Sequence, residues 1–336
     1  MPHSQRARDF GLVGGGEPGR YNAITDVPGV RVGHTTIRRP PRIHTGVTAI
    51  MPESVSPHSP LPAGLFVGNG YGKLVGATQL VELGVIESPI VLTATLSAFR
   101  AADALVSWML SRPDCVDVQS FNPVVGECND GYLSDIRARP ISEQHVLAAI
   151  DAGSDGPVLE GCAGAGTGTG ALGFKAGIGT ASRKVDIDGE AVTVGILVQA
   201  NFGGTLRVLG RPVTAASVGL PEMAAPDVGS CMIVAATDAP LDARQLTRLA
   251  RRLVFGLARV GADYSHGSGD YGIAFSVRPG VAALRDAALS PLFEAALDAV
   301  EESVLNSLVA ATTTHGVHRR TLHAVPVARL VELLRI

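Results

Sequence analysis

Apolar residues in this chain fall into short runs bounded by glycine and proline, with longer amphipathic stretches between them. Val30-Arg31-Val32 follows a Pro28-Gly29 turn, and Gly46-Val47-Thr48-Ala49-Ile50 and Leu65-Phe66-Val67 have strand length. Pro89-Ile90-Val91-Leu92-Thr93 is apolar enough to be a buried strand. Helical spacing through Ala102, Leu105 and Met109 predicts a helix over Ala98 to Leu110. Ser142 is placed to cap another, with Val146, Leu147 and Ile150 on one face. Asp188-Gly189, between Lys184-Val185-Asp186-Ile187 and the run Ala191 to Val198, predicts a hairpin. From Ser230 onward the pattern reads strand, helix, strand, helix. Asp242 with Gln245 forms a capping-box signature for a helix carrying Leu246, Leu249, Leu253, Leu257 and Val260 on its apolar face. Gly272 to Val277 is the next strand, and Ser290-Pro291 opens a helix to about Ala311.

Neither an internal repeat nor a low-complexity linker interrupts this order. The proline-rich stretch Met51 to Pro62 reads as a surface loop, and 206–229 as loop-rich but anchored by Leu209, Val213 and Leu220. One layered α/β domain is expected, and 336 residues suffice to bury a core without staples. A net charge of −3 with no basic stripe argues against nucleic acid as a partner. Forty glycines exceed the average share of about 7%, so tight turns and close backbone approaches are expected. Cys115, Cys128, Cys162 and Cys231 show no C-x-x-C pairing and read as free thiols. The residues from Met1-Pro2-His3-Ser4 to Arg8 lack the apolar core of a signal peptide, and no stretch approaches the ~20 apolar residues of a membrane span. A soluble, cytoplasmic protein with no membrane contact is the expectation.

The candidate chemistry centres on Ala225-Pro226-Asp227-Val228-Gly229-Ser230, where a loop ends at glycine and an apolar run, Cys231 to Ala236, begins. Glycine tolerates strained backbone angles, so the Ser230 hydroxyl could attack the Gly229 carbonyl and break the chain. The new terminus would then offer a hydroxyl nucleophile beside its own α-amine. Gly-Ser also occurs at Gly153-Ser154 and Gly267-Ser268, so the dipeptide needs company. In Gly126-Glu127-Cys128-Asn129-Asp130-Gly131-Tyr132 a carboxylate and a phenol share what is otherwise a turn composition. Asn201, after the run Val198-Gln199-Ala200, is a strand-end cap or an oxyanion donor. Ser268 and Asp270 of Gly267-Ser268-Gly269-Asp270 project to one side if extended, as a polarising pair or as a turn. Gly168, Gly170 and Gly173 match G-x-G-x-x-G, with Asp188 at dinucleotide spacing. No clear strand precedes them, however, and a structural glycine loop near an active site is the better reading. His315-x-x-His318 lacks a third ligand, so no metal is expected, and no G-x-S-x-G surrounds Ser230.

As a set, these stretches resemble the L-aminopeptidase/D-esterase (DmpA-type) enzymes and the related β-aminopeptidases, which are self-processing serine hydrolases. The similarity begins at Asn22 to Val30 and Val32-Gly33-His34-Thr35-Thr36. It continues through Asp130-Gly131-Tyr132, Gly166-Thr167-Gly168, Gly177 to Arg183 and Val198 to Gly203. The stretch from Gly229-Ser230 to Leu241 completes it. The resemblance implies a four-layer αββα sandwich of the amino-terminal-nucleophile type, cleaved into 1–229 and 230–336. It implies Ser230 as nucleophile, Ser268 and Asp270 as its assistants, Asn201 at the oxyanion and Tyr132 in the site. Glu127 would anchor the substrate amine, with Asn129 beside it in the binding turn. Two positions depart from the family: Asp270 stands where the β-aminopeptidases carry Glu, and Ala94 where Asn is expected. The expected activity is release of amino-terminal residues from small peptides, amides or esters, without cofactor, by a homo-oligomer of processed αβ units. Hydrolysis of synthetic amide oligomers, acyl transfer, and a non-catalytic binding protein are the alternatives.

Overall fold

The computed structural model describes residues 5–53, 55–221 and 229–335. Met1 to Ser4, and Ala225 to Val228 of the stretch leading to Gly229-Ser230, lie outside them. In chain order the first strands are β1 (Val30–Arg39), β2 (Ile43–Pro52) and β3 (Leu61–Gly70), then α1 (Ala77–Leu83), β4 (Val85–Ile86) and β5 (Ile90–Ala94). Next come α2 (Ala98–Leu110), β6 (Val124–Cys128), α3 (Glu143–Asp151), and a small ribbon of β7 (Gly170–Ala171) and β8 (Phe174–Lys175). The long pair β9 (Ile178–Ile187) and β10 (Glu190–Asn201) precedes a short one, β11 (Arg207–Val208) and β12 (Arg211–Pro212). The rest is β13 (Ser230–Thr237), α4 (Ala243–Gly256), β14 (Gly269–Ser276), α5 (Ser290–Val309), the ribbon β15 (Thr314–His315) and β16 (Thr321–Leu322), and α6 (Val327–Leu334).

Two sheets face each other. One has the order β1-β2-β5-β6, the other β4-β3-β14-β13-β10-β9. Three apolar clusters fill the gaps between layers, and the alternation along each strand dictates which cluster a residue joins. On β13, Met232, Val234 and Ala236 point between the sheets, while Cys231, Ile233 and Ala235 point toward α4 and α5. The first sheet turns Val47, Ala49 and Val91 toward Ala101, Leu105 and Met109 of α2 and Val146 and Ile150 of α3. The layers are therefore helix, sheet, sheet, helix, the αββα sandwich that the resemblance implied. Covered on both faces, β2 and β13 are buried along their whole length and read as near-continuous apolar runs.

Local signals account for several boundaries. In the turn between β9 and β10, Asp188 and Gly189 both have positive φ (53° and 86°), as a two-residue turn matched to strand twist requires. At the start of α4, Asp242 Oδ1 accepts from the Gln245 N–H at 2.7 Å and Gln245 Oε1 from the Asp242 N–H at 3.2 Å. The glycines allow close layers: a Cβ on Gly179 of β9 would stand 1.9 Å from the Ser303 carbonyl oxygen of α5. All four cysteines are free and buried. No described helix is long and apolar enough to cross a membrane.

Two expectations need correction. Met51 to Pro62 is not one surface loop, since Met51 and Pro52 finish β2, Leu61 and Pro62 open β3, and Val55 is 1% exposed between them. Proline is tolerated at these strand ends. Leu209 anchors nothing: it is 50% exposed at the tip between β11 and β12, and Val208 and Val213 are the buried residues there.

A buried ionic knot ties the chain's beginning to the second sheet. Glu302 on α5 meets Arg183 of β9 at 2.7 Å with both side chains fully buried, and Arg8 at 2.8 Å. Asn22 Nδ2 donates to the same carboxylate at 2.6 Å. Removing one partner strands the other charges in a low dielectric, so Glu302→Ala is expected to cost about 3–5 kcal/mol in urea unfolding. Glu17→Ala, which breaks a solvent-facing pair with Lys184, is expected to change stability by less than about 1 kcal/mol.

Candidate active site

Strand register gathers the candidate residues. β10 and β13 are antiparallel with Asn201 opposite Ser230, and β13 and β14 are parallel with Cys231 opposite Asp270. In the facing sheet β5 and β6 are parallel, with Thr93 opposite Glu127 and Ala94 opposite Cys128. The Cys128 thiol crosses between the sheets, 3.2 Å from the Ser230 carbonyl oxygen and 3.4 Å from that of Gln199. It ties the start of β13 to the end of β10.

Ser230 is 4% exposed and Ser268 and Asp270 1% each. The Ser268 hydroxyl donates to Asp270 Oδ1 at 2.8 Å, while Asp270 Oδ2 has no partner among the described residues. Gly229 has a steric reason to be glycine: a Cβ there would stand 2.9 Å from both the Asn201 carbonyl oxygen and Phe202 Cα, and 3.3 Å from Ser268 Oγ. Lack of a side chain thus lets the Gly229-Ser230 peptide lie against the end of β10 with the Ser268 hydroxyl beside it.

Asn201 is held at both ends of its amide. Oδ1 accepts from the Gly170 N–H at 3.2 Å, and Nδ2 donates to the Asn129 carbonyl oxygen at 3.1 Å. This pairing fixes which end is nitrogen and leaves the second Nδ2 hydrogen free to serve another acceptor. Asn129, Tyr132, Gly170, Asn201 and Gly229 share the wall of a pocket of about 510 Å³. Gly168 and Gly173 join them, so the glycine run is part of this wall.

Glu127 does not line that pocket. Its carboxylate, 1% exposed, accepts from the Lys73 N–H at 2.7 Å and from the Thr95 hydroxyl. It lies across Gly72 from the Ser268 motif: a Cβ on Gly72 would be 3.1 Å from Glu127 Oε1 and 3.3 Å from Gly269 Cα. No described cation pairs with it. Ala94 is 5% exposed. Asp130 is buried with neither carboxylate oxygen partnered among the described residues, and burial pushes its pKa up to about 7. His315 and His318 are exposed. Sequence reasoning missed Lys73, which acts through its backbone, and Thr95 and Arg320, which no spacing rule marks.

The sequence matches Peptidase family S58 over residues 22–322. The chain belongs to peptidase family S58. This S58 chain is 40% identical to the beta-peptidyl aminopeptidase BapA of Sphingosinicella microcystinivorans over 369 residues, which span 98% of the chain and 92% of that protein. Its structure matches a Burkholderia sp. beta-aminopeptidase with a TM-score of 0.91 at 41% identity, covering 98% of each chain. It also matches the L-aminopeptidase D-Ala-esterase/amidase of Ochrobactrum anthropi, a serine aminopeptidase with a variant of the Ntn hydrolase fold, with a TM-score of 0.90 at 39% identity and 98% coverage of each. The S58 chain is accordingly a hydrolase of the aminopeptidase and amidase kind on an Ntn hydrolase fold.

Burial raises Asp270 from the usual carboxylate range to about 6, against the opposing pull of the Ser268 hydrogen bond. A carboxyl whose folded pKa is raised favours the folded state while protonated, and that advantage is lost as pH rises through about 6. Asp270→Asn is therefore expected to be more stable than the parent at pH 8. The difference should vanish as pH falls below about 4, where both chains carry a neutral group. Urea unfolding of both at the two pH values checks it; a gap that persists at low pH would assign the effect to packing.

Proposed function

We propose that this S58 peptidase is self-processing, cut between Gly229 and Ser230 into chains 1–229 and 230–336 that stay together as one folded unit without a disulfide. One observation carries the reading: the Gly229-Ser230 junction opens a buried strand with Ser268 Oγ beside Gly229 and Asn201 opposite Ser230. In the mature enzyme the Ser230 hydroxyl attacks the substrate carbonyl. Its proton passes to the Ser230 α-amine, whose reference pKa is about 7.7–8.0, or to the Ser268–Asp270 pair. The free Nδ2 hydrogen of Asn201 steadies the oxyanion, the Tyr132 phenol supplies a hydrogen bond from the pocket wall, and the leaving amine takes the proton. Water then resolves the acyl-enzyme and restores Ser230.

The substrates are small peptides, amides or esters with a free amine. Glu127 is the group we assign to that amine, because a buried carboxylate without a cation gains a counterion from a substrate ammonium. Asn129 shapes the adjoining wall and fixes Asn201 through its carbonyl. The relatives named beta-peptidyl aminopeptidase and L-aminopeptidase D-Ala-esterase/amidase support this class of substrate. We place the enzyme in the cytoplasm, where free buried thiols are usual. We further take it to be a homo-oligomer, with exposed apolar side chains such as Val81, Phe99 and Val116 available for contacts.

Intact mass of the purified active protein should show two chains, split at Gly229-Ser230. Ser230→Ala should leave one full-length chain without hydrolytic activity, since the same hydroxyl performs both reactions. A split Ser230→Ala chain would exclude Ser230 as the agent.

In a processed enzyme, Asn201→Ala is expected to lower kcat by about 10²–10³-fold with a smaller change in KM. Near-parental kcat would reduce Asn201 to a strand-end cap.

A further inference from the structure

The pocket beside Asn201 and Gly229 has a charged pole. Of its described lining residues only Arg320 carries a full charge; the rest are glycine, apolar, amide or phenol. The Arg320 guanidinium sits over the Tyr132 ring, 5.0 Å from its centroid, and forms no ion pair among the described residues. Arg320 is exposed and its Nη1 donates to the Tyr132 carbonyl oxygen at 3.5 Å, which leaves the other edge donors of the stacked guanidinium to meet a planar anion.

The segment that carries it is held firmly. The Gly316 N–H donates to the Arg320 carbonyl oxygen at 2.8 Å, and the Arg320 N–H donates to that of Val317 at 3.0 Å. Val317 in turn donates to the Leu133 carbonyl oxygen at 2.9 Å, next to Tyr132. Within this turn His318 and Arg319 have φ of 56° and 58°, a left-handed conformation that is costly for two consecutive residues with side chains. Such strain persists where the surroundings over-determine it, and it clusters at ligand sites. Here it places Arg320 at the pocket.

We propose that Arg320 is a specificity-determining residue that binds the carboxylate of the leaving group, so that the preferred substrates are short peptides ending in a free acid. The assignment rests on the aminopeptidase reading above and names the other end of the same substrate. The acyl residue of such a substrate carries an ammonium, which Arg320 repels. That residue therefore lies away from the pocket, toward the carboxyl groups of Glu127 and Asp270, neither of which lines it. The leaving amine then faces the pocket, and in a dipeptide it bears an α-carboxylate. A volume of about 510 Å³ has room for a leaving residue together with its carboxylate.

The test uses a matched pair of substrates with one acyl residue, the leaving group being glycine in one and glycinamide in the other. The processed parent should cleave the acid with the higher kcat/KM. Arg320→Gln should lower kcat/KM for the acid at least tenfold, mainly through KM, and leave the amide within twofold. Arg320→Lys should recover part of the loss, because a point charge replaces a bidentate one. Thermal unfolding and chain masses of both variants should match the parent. An unchanged acid-to-amide ratio in Arg320→Gln, or an equal fall for both substrates, would overturn the assignment while leaving the aminopeptidase reading intact. Failure of the parent to cleave either substrate would overturn both.

Discussion

The register between β10 and β13 is the constraint on which the site depends. Because side chains alternate along a strand, a slip of one residue would turn Ser230 toward α4 and α5 and move Cys231 between the sheets. The long antiparallel ladder from Val194 opposite Thr237 to Asn201 opposite Ser230 holds it. Each step of that ladder is buried, so a slip would also exchange the residues of two apolar clusters. Apolar packing thus sets the position of a polar pair at the strand ends. The parallel partner β14 then brings Asp270 level with Cys231, and Ser268 reaches back along Gly229.

Burial gives these polar groups their properties. A carboxylate in water has a pKa near 4, and Asp270 is raised to about 6 because the folded protein withholds solvent from it. The glycine loop is organised by a buried cation in the same way. Lys175 is fully buried, with its ammonium donating to the carbonyl oxygens of Gly166, at 3.2 Å, and Ala176. Burial lowers its pKa, and those carbonyls are its substitutes for water. The loop so held delivers the Gly170 N–H to Asn201, which orients the amide without a charged neighbour.

Much of the fold was legible because its signals are local. Asp188-Gly189 requires a tight turn, Asp242 with Gln245 satisfies helix-end donors, and Ala102, Leu105 and Met109 share one helix face whatever lies elsewhere. The sequence also marked Ser268 with Asp270, since spacing of two is enough to align side chains. What escaped it depends on groups distant in the chain. Lys73 reaches Glu127 through a backbone N–H, which residue identity does not encode. Arg320 reads as one of two adjacent surface arginines until the turn at His318 and Arg319 points it over Tyr132. At Gly229 the sequence suggested backbone freedom, and the close approach of Asn201 and Phe202 is a second demand for glycine that only the folded chain shows.

The proposed reaction makes two demands that a single base cannot meet. While Gly229 and Ser230 are joined, the Ser230 nitrogen is an amide, with its lone pair delocalised into the carbonyl. It can neither accept a proton from the hydroxyl nor become an ammonium. The first cleavage therefore requires another acceptor, and the Ser268 hydroxyl with Asp270 behind it lies at the bond to be broken. A carboxylate of raised pKa is a stronger base than one in water, which suits that step. Cleavage then converts the amide into an α-amine adjacent to the same hydroxyl, and the second base appears as a product of the first reaction. On this account the Ser268–Asp270 pair is indispensable for maturation and assists in turnover. Its burial, which costs the fold stability above pH 6, is the condition that makes the first step possible.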